Sequence, residues 1–286
     1  MKERINRIIS MVQEPEFRIL PGNLAYSFFL ATIPILTITF YLLTYFNLKV
    51  EEIENLLQVT FSTKLVSFFQ PVFTGTITLN SVITLVISII VITNGCNAII
   101  IASDTIYNFE VSSLFKRLVK SLILSIILII LFGFMILVPL LGRTIIDFVS
   151  SLFNFTQYKQ FLDTVYLILQ IPVSMLVIFI IIKIIYLIAP DDKVLSKYVN
   201  KGALFTTVMW VIITTIYSYY ISNIAKYDMV YGNLANIVVL LFWFYILAFI
   251  FVMGLYISKL SSERGIERTN SIKLEEIRKK IKEQKK

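Results

Sequence analysis

The sequence predicts an all-α integral membrane protein: six transmembrane helices, both termini cytoplasmic (N-in/C-in), and two amphipathic interfacial helices on the outer side. Three observations carry this prediction. First, uncharged runs cover residues 19–48, 65–103, 121–142, 164–182, 202–225 and 229–258. A hydrocarbon core of about 30 Å takes about 20 helical residues, so each run can cross it, and 65–103 is too long to lie wholly inside. Second, the chain is 57% hydrophobic and 15% charged, against about 25% charged residues in soluble domains. Third, the basic residues are segregated. The N-terminal segment has Lys2, Arg4, Arg7 and Arg18, the second loop Lys116, Arg117 and Lys120, the fourth loop Lys193, Lys197 and Lys201, and the tail ten more. The opposite side has only Lys49, Lys64, Arg143, Lys159 and Lys226. Cytoplasmic loops carry the excess of Lys and Arg, so the richer side is the cytoplasm and the number of spans is even.

Residues 1–18 form a short cytoplasmic segment, 19–258 a single membrane domain and 259–286 a basic cytoplasmic tail. The spans use most of the 286 residues, which leaves no room for a compact catalytic domain. The N-terminus, MKERINRIISMVQEPEF, lacks the short apolar core and small-residue cleavage site of a signal peptide, so the first span is expected to be retained. That span contains Pro34. In the outward loop at 50–71, Ile53, Leu57, Phe61, Leu65 and Phe68 recur every three or four residues behind Glu51, Glu52 and Glu54. Acidic residues favour a helix N-terminus, so this segment reads as an interfacial amphipathic helix, either a lid sealing the bundle or a gate over a cavity.

The second span carries Asn94, Asn97, Asp104 and Asn108 along one helical stripe, with the lone Cys96 beside it. One cysteine forms no intramolecular disulfide, so the redox compartment is not readable. Asn94 precedes Asp104 by about 15 Å and should lie near the midplane. The stripe suits an interhelical contact or a substrate path, and Asp104 suits a cytoplasmic helix end. The third span holds Pro139. After Arg143, Ile145, Phe148 or Val149, Leu152 and Phe155 share a face, giving the second interfacial candidate.

The fourth span holds Pro172 and, in IFIIIKIIYLIAP, Lys183. Prolines can kink a helix or free carbonyls at membrane depth, and Pro34 and Pro172 are the candidate broken-helix sites. Lys183 lies about 10 Å before Pro190. Helical side chains launch toward the N-terminus, here the outer side, so snorkelling to the cytoplasm works against the launch direction. The alternatives are snorkelling or a polar cavity with an acidic partner, Asp104 being the nearest candidate by depth. At the start of the last span Gly232-Asn233-Leu234-Ala235 repeats Gly22-Asn23-Leu24-Ala25. Inverted repeats would leave such a sign, and so would coincidence between apolar-rich strings. Asn233 and Asn236 join Asn94, Asn97, Asp104 and Lys183 as candidates for a polar interior. In the tail, Glu275 with Lys279 and Glu276 with Lys280 support a helix at i,i+4 spacing, one that can rest on anionic headgroups. With no aromatic to stack a base, the tail does not call for a nucleic-acid partner.

The block from Asn200 to Ser258 resembles the C-terminal signature of the YihY/virulence factor BrkB family, once labelled ribonuclease BN. The matching points are Gly202-Ala203, Trp210, Tyr220, Tyr227, Tyr231-Gly232, Leu234-Ala235, Trp243, Tyr245 and Gly254. NLAYSFFLATIPIL is similar to the family's early motif through Ala25-Tyr26 and Pro34, and Pro190 fits its proline after the fourth span. The family's last span usually ends near Gly-Ala-Glu, where this chain has Gly254-Leu255-Tyr256 and so lacks the acidic residue. The resemblance implies a six-helix protein of the bacterial inner (plasma) membrane.

Three functions remain open. A transporter or lipid- and amphiphile-handling protein fits the polar stripe, Lys183, the prolines and the outer helices, with membrane lipids as surroundings and a small amphiphile or lipid as substrate. A scaffold or assembly factor needs none of these. A hydrolase, as the old label implies, is the weakest: a nuclease needs a base, usually His or a carboxylate-held metal, and the chain has no His. Asp191 and Asp192 are the only adjacent acids outside the tail on the cytoplasmic face and read as a solvated cap. No HExxH, P-loop or nucleophile elbow occurs. No metal or cofactor is expected, and nothing in the sequence fixes an oligomeric state.

Overall fold

A computed structural model of the chain describes residues 15–45, 79–110, 112–152, 159–223 and 232–284. No strand occurs among them. The described residues form six helices: α1 (Pro15–Tyr45), α2 (Leu79–Tyr107), α3 (Leu114–Leu152), α4 (Lys159–Ile188), α5 (Ser196–Asn223) and α6 (Gly232–Gln284). Four contain stretches long and apolar enough to cross a membrane: Phe17–Thr39, Val82–Tyr107, Ser196–Ile221 and Ile237–Arg264. In α4 the apolar stretch is the shorter Pro172–Ile188. Each helix contains most or all of one uncharged run, as expected of a backbone that must satisfy its own N–H and C=O groups in hydrocarbon.

The boundaries differ from the sequence expectation in three places. Pro15 opens α1, a position where proline loses nothing because the first-turn N–H has no helical partner. The described part of the 65–103 run forms α2 from Leu79, and residues 65–78, like the proposed interfacial helix at 50–71, lie outside the described residues. The segment after Arg143 is no separate helix up to Leu152, since α3 continues through it without a break, and Phe155 lies outside the described residues. Past Ser258, α6 continues into the basic tail, so span and tail form one helix of 53 residues.

Of the two readings of the prolines, kink or break, a break does not occur at the candidate sites Pro34 and Pro172. The backbone stays helical through Pro34, Pro139 and Pro172. A proline forfeits one N–H bond, whereas a break would leave several backbone groups unpaired in apolar surroundings.

The chain packs as two units. One comprises residues 24–99 and 113–181, and the other residues 1–23, 100–112 and 182–286. In the first, α1 and α2 approach closely at Gly95, where a Cβ would lie 3.2 Å from the Ala31 Cβ and 3.5 Å from the Ser27 carbonyl oxygen. Buried Leu24, Ala31, Ile92, Leu124 and Leu128 fill this unit, and the Thr93 and Ser125 hydroxyls meet at 3.5 Å between α2 and α3. Small and hydroxyl residues at the contacts are what helices use where apolar burial gives no advantage over lipid.

The second unit is built on α5 against α6, with the start of α1 and the ends of α2 and α4. Phe17 packs edge-on to Phe249 and Tyr256, with ring centroids 6.4 and 6.0 Å apart. Ile100, Ile182, Tyr186, Phe251 and Leu255 are its largest fully buried side chains.

Candidate functional site

The second unit contains a set of polar contacts between elements, and it starts at the end of α2. Asn108 takes φ 58°, a left-handed conformation that Asn tolerates better than most residues. Its N–H meets the Thr105 carbonyl at 3.2 Å, and the next N–H, of Phe109, meets the Asp104 carbonyl at 2.9 Å. This pair of bonds is the Schellman arrangement, which satisfies carbonyls that a helix end would otherwise orphan. The Asn108 amide, oriented to suit its neighbours, accepts from Lys259 Nζ of α6 at 3.2 Å.

Directly before this cap, Asp104 is fully buried. Its Oδ1 accepts the backbone N–H of Asp191 at 2.7 Å, and Asp191 Oδ2 accepts the backbone N–H of Ser112 at 3.2 Å. Two carboxylates thus tie the end of α2, the connection to α3 and the connection from α4 to α5. Pro190, buried beside Asp191, ends α4 because the residue before a proline disfavours helical geometry.

The second feature is the crossing of α5 over α6. A Cβ on Gly202 would strike the Gly254 carbonyl and the Ser258 hydroxyl, and a Cβ on Gly254 would strike the Thr206 and Tyr186 hydroxyls. Only glycine fits at either position. The Tyr186 hydroxyl lies 2.7 Å from Thr206 Oγ1 and donates to the Phe251 carbonyl at 2.7 Å, joining α4, α5 and α6. The Ser258 hydroxyl donates to the Gly254 carbonyl at 3.0 Å. Farther along the same crossing, the Trp210 indole N–H donates to the Leu247 carbonyl at 2.9 Å. Trp243 stacks on Tyr217 with centroids 5.0 Å apart.

The sequence candidates do not share one environment. Asn94 is exposed and Asn97 half-buried, and neither amide makes a hydrogen bond to another described residue. Asp104 is buried at the helix end, and Lys183 is half-buried in α4. Asn233 and Asn236 lie on the first turns of α6, with side chains outside the described residues. Of the motif residues, Ala25, Pro190, Gly202 and Gly254 are buried, Pro34, Trp210 and Trp243 half-buried, and Tyr26 60% exposed. Tyr231 lies outside the described residues, and Gly232 opens α6. Sequence reasoning missed Tyr186, Thr206 and Ser258. The one available signal was a tyrosine three residues past the intramembrane lysine. Asp191, read as a solvated cap, does cap backbone but is half-buried, with its carboxylate turned to Ser112.

Chemically, the second unit offers fixed hydrogen bonds and close helix contacts. Among the described residues no group of three or more His, Cys, Asp or Glu is placed to hold a metal ion.

Comparison with known proteins adds a lineage. The family profile described as Virulence factor BrkB matches residues 9–276. The chain is 28% identical over 248 residues to the ribonuclease-like protein YfkH of Bacillus subtilis (strain 168), covering 85% of this chain and 89% of that protein. It is 29% identical over 92 residues to the UPF0761 membrane protein PSHAa0171 of Pseudoalteromonas translucida (strain TAC 125), covering 32% of this chain and 31% of that protein. A UPF0761 membrane protein of Glaesserella parasuis serovar 5 (strain SH0165) is 26% identical over 130 residues, 44% of this chain and 45% of its own length. No solved structure gives a significant match.

Proposed function

The chain belongs to the virulence factor BrkB family, and from that premise we propose that it handles an anionic lipid or similar amphiphile within the membrane, as a transporter does. Lys183 carries the reading. It is the one Lys, Arg, Asp or Glu in the apolar stretch Pro172–Ile188, and it is half-buried there. An ammonium at such depth is costly and is a functional site by default. A headgroup phosphate matches its charge, and the exposed apolar faces of the helices suit the acyl chains. On the charge split, we read the chain as a multi-pass protein of the bacterial plasma membrane with both termini cytoplasmic, and we assign it no catalytic step.

The reading is tested with purified protein in vesicles that carry a fluorescent anionic or zwitterionic phospholipid, by following movement of the label between leaflets. Wild-type protein should accelerate the anionic lipid selectively. Lys183→Met should lose the selectivity and Lys183→Arg retain it. Vesicles with wild-type protein that behave like protein-free vesicles for both lipids would overturn the proposal. A scaffold is the second reading, and the observation favouring it is the close, hydrogen-bonded crossing at Gly202, Gly254 and Tyr186. Such a crossing is as useful for holding a partner as for framing a path.

A further inference from the structure

We infer that two copies of this chain associate through α2, in parallel, around a twofold axis along the membrane normal. The inference is independent of Lys183 and goes beyond the lipid-handling reading.

It starts from Asn94. The apolar stretch of α2 runs Val82–Tyr107, and Asn94 is at its centre. Its side chain is exposed and makes no hydrogen bond to another described residue. An amide carries two donors and one acceptor oxygen, and none of these is satisfied by acyl chains. Polar groups facing hydrocarbon therefore seek partners on other helices.

The surrounding residues point to the partner. Ile83, Ile87, Ile90, Asn94 and Asn97 recur at steps of four, three, four and three, the a/d spacing of a two-helix seam. Ile83, Ile87 and Ile90 are 50%, 55% and 56% exposed, so the stripe lies on the outside of the helix. It contains no charge. Its shape is that of a knobs-into-holes surface whose last two layers, the exposed Asn94 and the half-buried Asn97, are polar, and Asn94 falls at the a-type position, where Asn fixes register and two-strandedness.

A second copy is the occupant that matches. Copies of one membrane protein share one orientation, so a closed twofold pair has its axis along the normal. That axis sets Asn94 of each copy at the same depth, with no adjustment of register. The amide is self-complementary: Nδ2 of one copy donates to Oδ1 of its partner. A water-filled path would need further polar groups on the face, yet the positions toward the start of α2 are isoleucines.

The test uses the full chain. In a Cys96→Ser background, Ile87→Cys or Ile90→Cys should yield a disulfide-linked dimer in native membranes under mild oxidation. Ile126→Cys, on the exposed face of α3, should not. Energy transfer between donor- and acceptor-labelled copies in vesicles should fall with Asn94→Leu, as a rise in the dissociation constant of about fivefold for the lost interhelical bond, and persist with Asn94→Gln. Asn94→Leu makes the span more apolar and does not hinder insertion. Equal crosslinking at Ile126, energy transfer unchanged by Asn94→Leu, or a monomer at every protein-to-lipid ratio would overturn the inference. So would rapid labelling of Asn94→Cys by an aqueous maleimide in a monomeric protein, which would show a water-filled path.

Discussion

Gly202 and Gly254 are two glycines for which the structure gives a spatial reason. A methyl at Gly202 meets the Gly254 carbonyl, which cannot swing aside as a flexible side chain can, and a methyl at Gly254 meets the Thr206 and Tyr186 hydroxyls, which are bonded to each other. Overpacking of this kind costs about 1–3 kcal/mol or more. Gly202→Ala and Gly254→Ala should each lower the thermal midpoint clearly or abolish folded protein. Around Gly22 and Gly133, by contrast, no atom lies within 4 Å of where a methyl would sit. Gly22→Ala and Gly133→Ala should therefore be neutral or stabilising by about 0.5–1 kcal/mol through helix propensity. Asp104 supports a second contrast. Asp104→Ala leaves the Asp191 N–H without its acceptor, a loss of about 1–3 kcal/mol, whereas Asp104→Asn keeps an oxygen in place. Thermal unfolding in detergent should rank wild type, Asn and Ala in that order. An alanine variant as stable as wild type would remove the capping role.

At the scale of elements, α4, α5 and α6 meet at one hydroxyl. Tyr186→Phe removes the bonds to Thr206 and Phe251 while keeping the ring that packs edge-on to Phe251, with centroids 4.9 Å apart. Interhelical hydrogen bonds in membranes contribute about 0.6 kcal/mol on average and about 1.7 at most. Tyr186→Phe should thus destabilise less than Gly202→Ala, as measured by unfolding midpoints side by side. The sequence made the helices legible and this junction illegible, for a physical reason. A span is a property of about 20 consecutive residues, but the need for glycine at 202 exists only because residue 254 lies against it. The resemblance marked both glycines as motif points without supplying that contact. The stripe from Asn94 to Asp104 shows the same limit. Helical angle puts these residues on one side, yet Asn94 is exposed and Asp104 buried, because the connection around Pro190 covers the end of α2.

For the whole molecule, uncharged runs were enough to locate the described helices, and charge segregation supplies the expected orientation. Neither reading could show that α3 passes through Arg143, since a charged residue need not end a helix, or that α6 carries straight into the tail. The central claim is a six-span protein of the BrkB family with both termini cytoplasmic, and with it the leaflet toward which Lys183 is disposed. A single buried cysteine, Cys96, makes that claim directly measurable. In a Cys96→Ser background, single cysteines replacing Lys2, Lys116, Lys197, Lys285, Glu52 and Tyr158 are challenged in intact cells with a membrane-impermeant maleimide. The account predicts labelling at 52 and 158 only, with the other four reacting after permeabilisation. Labelling of 116 or 197 in intact cells, or protection of 158, would contradict it.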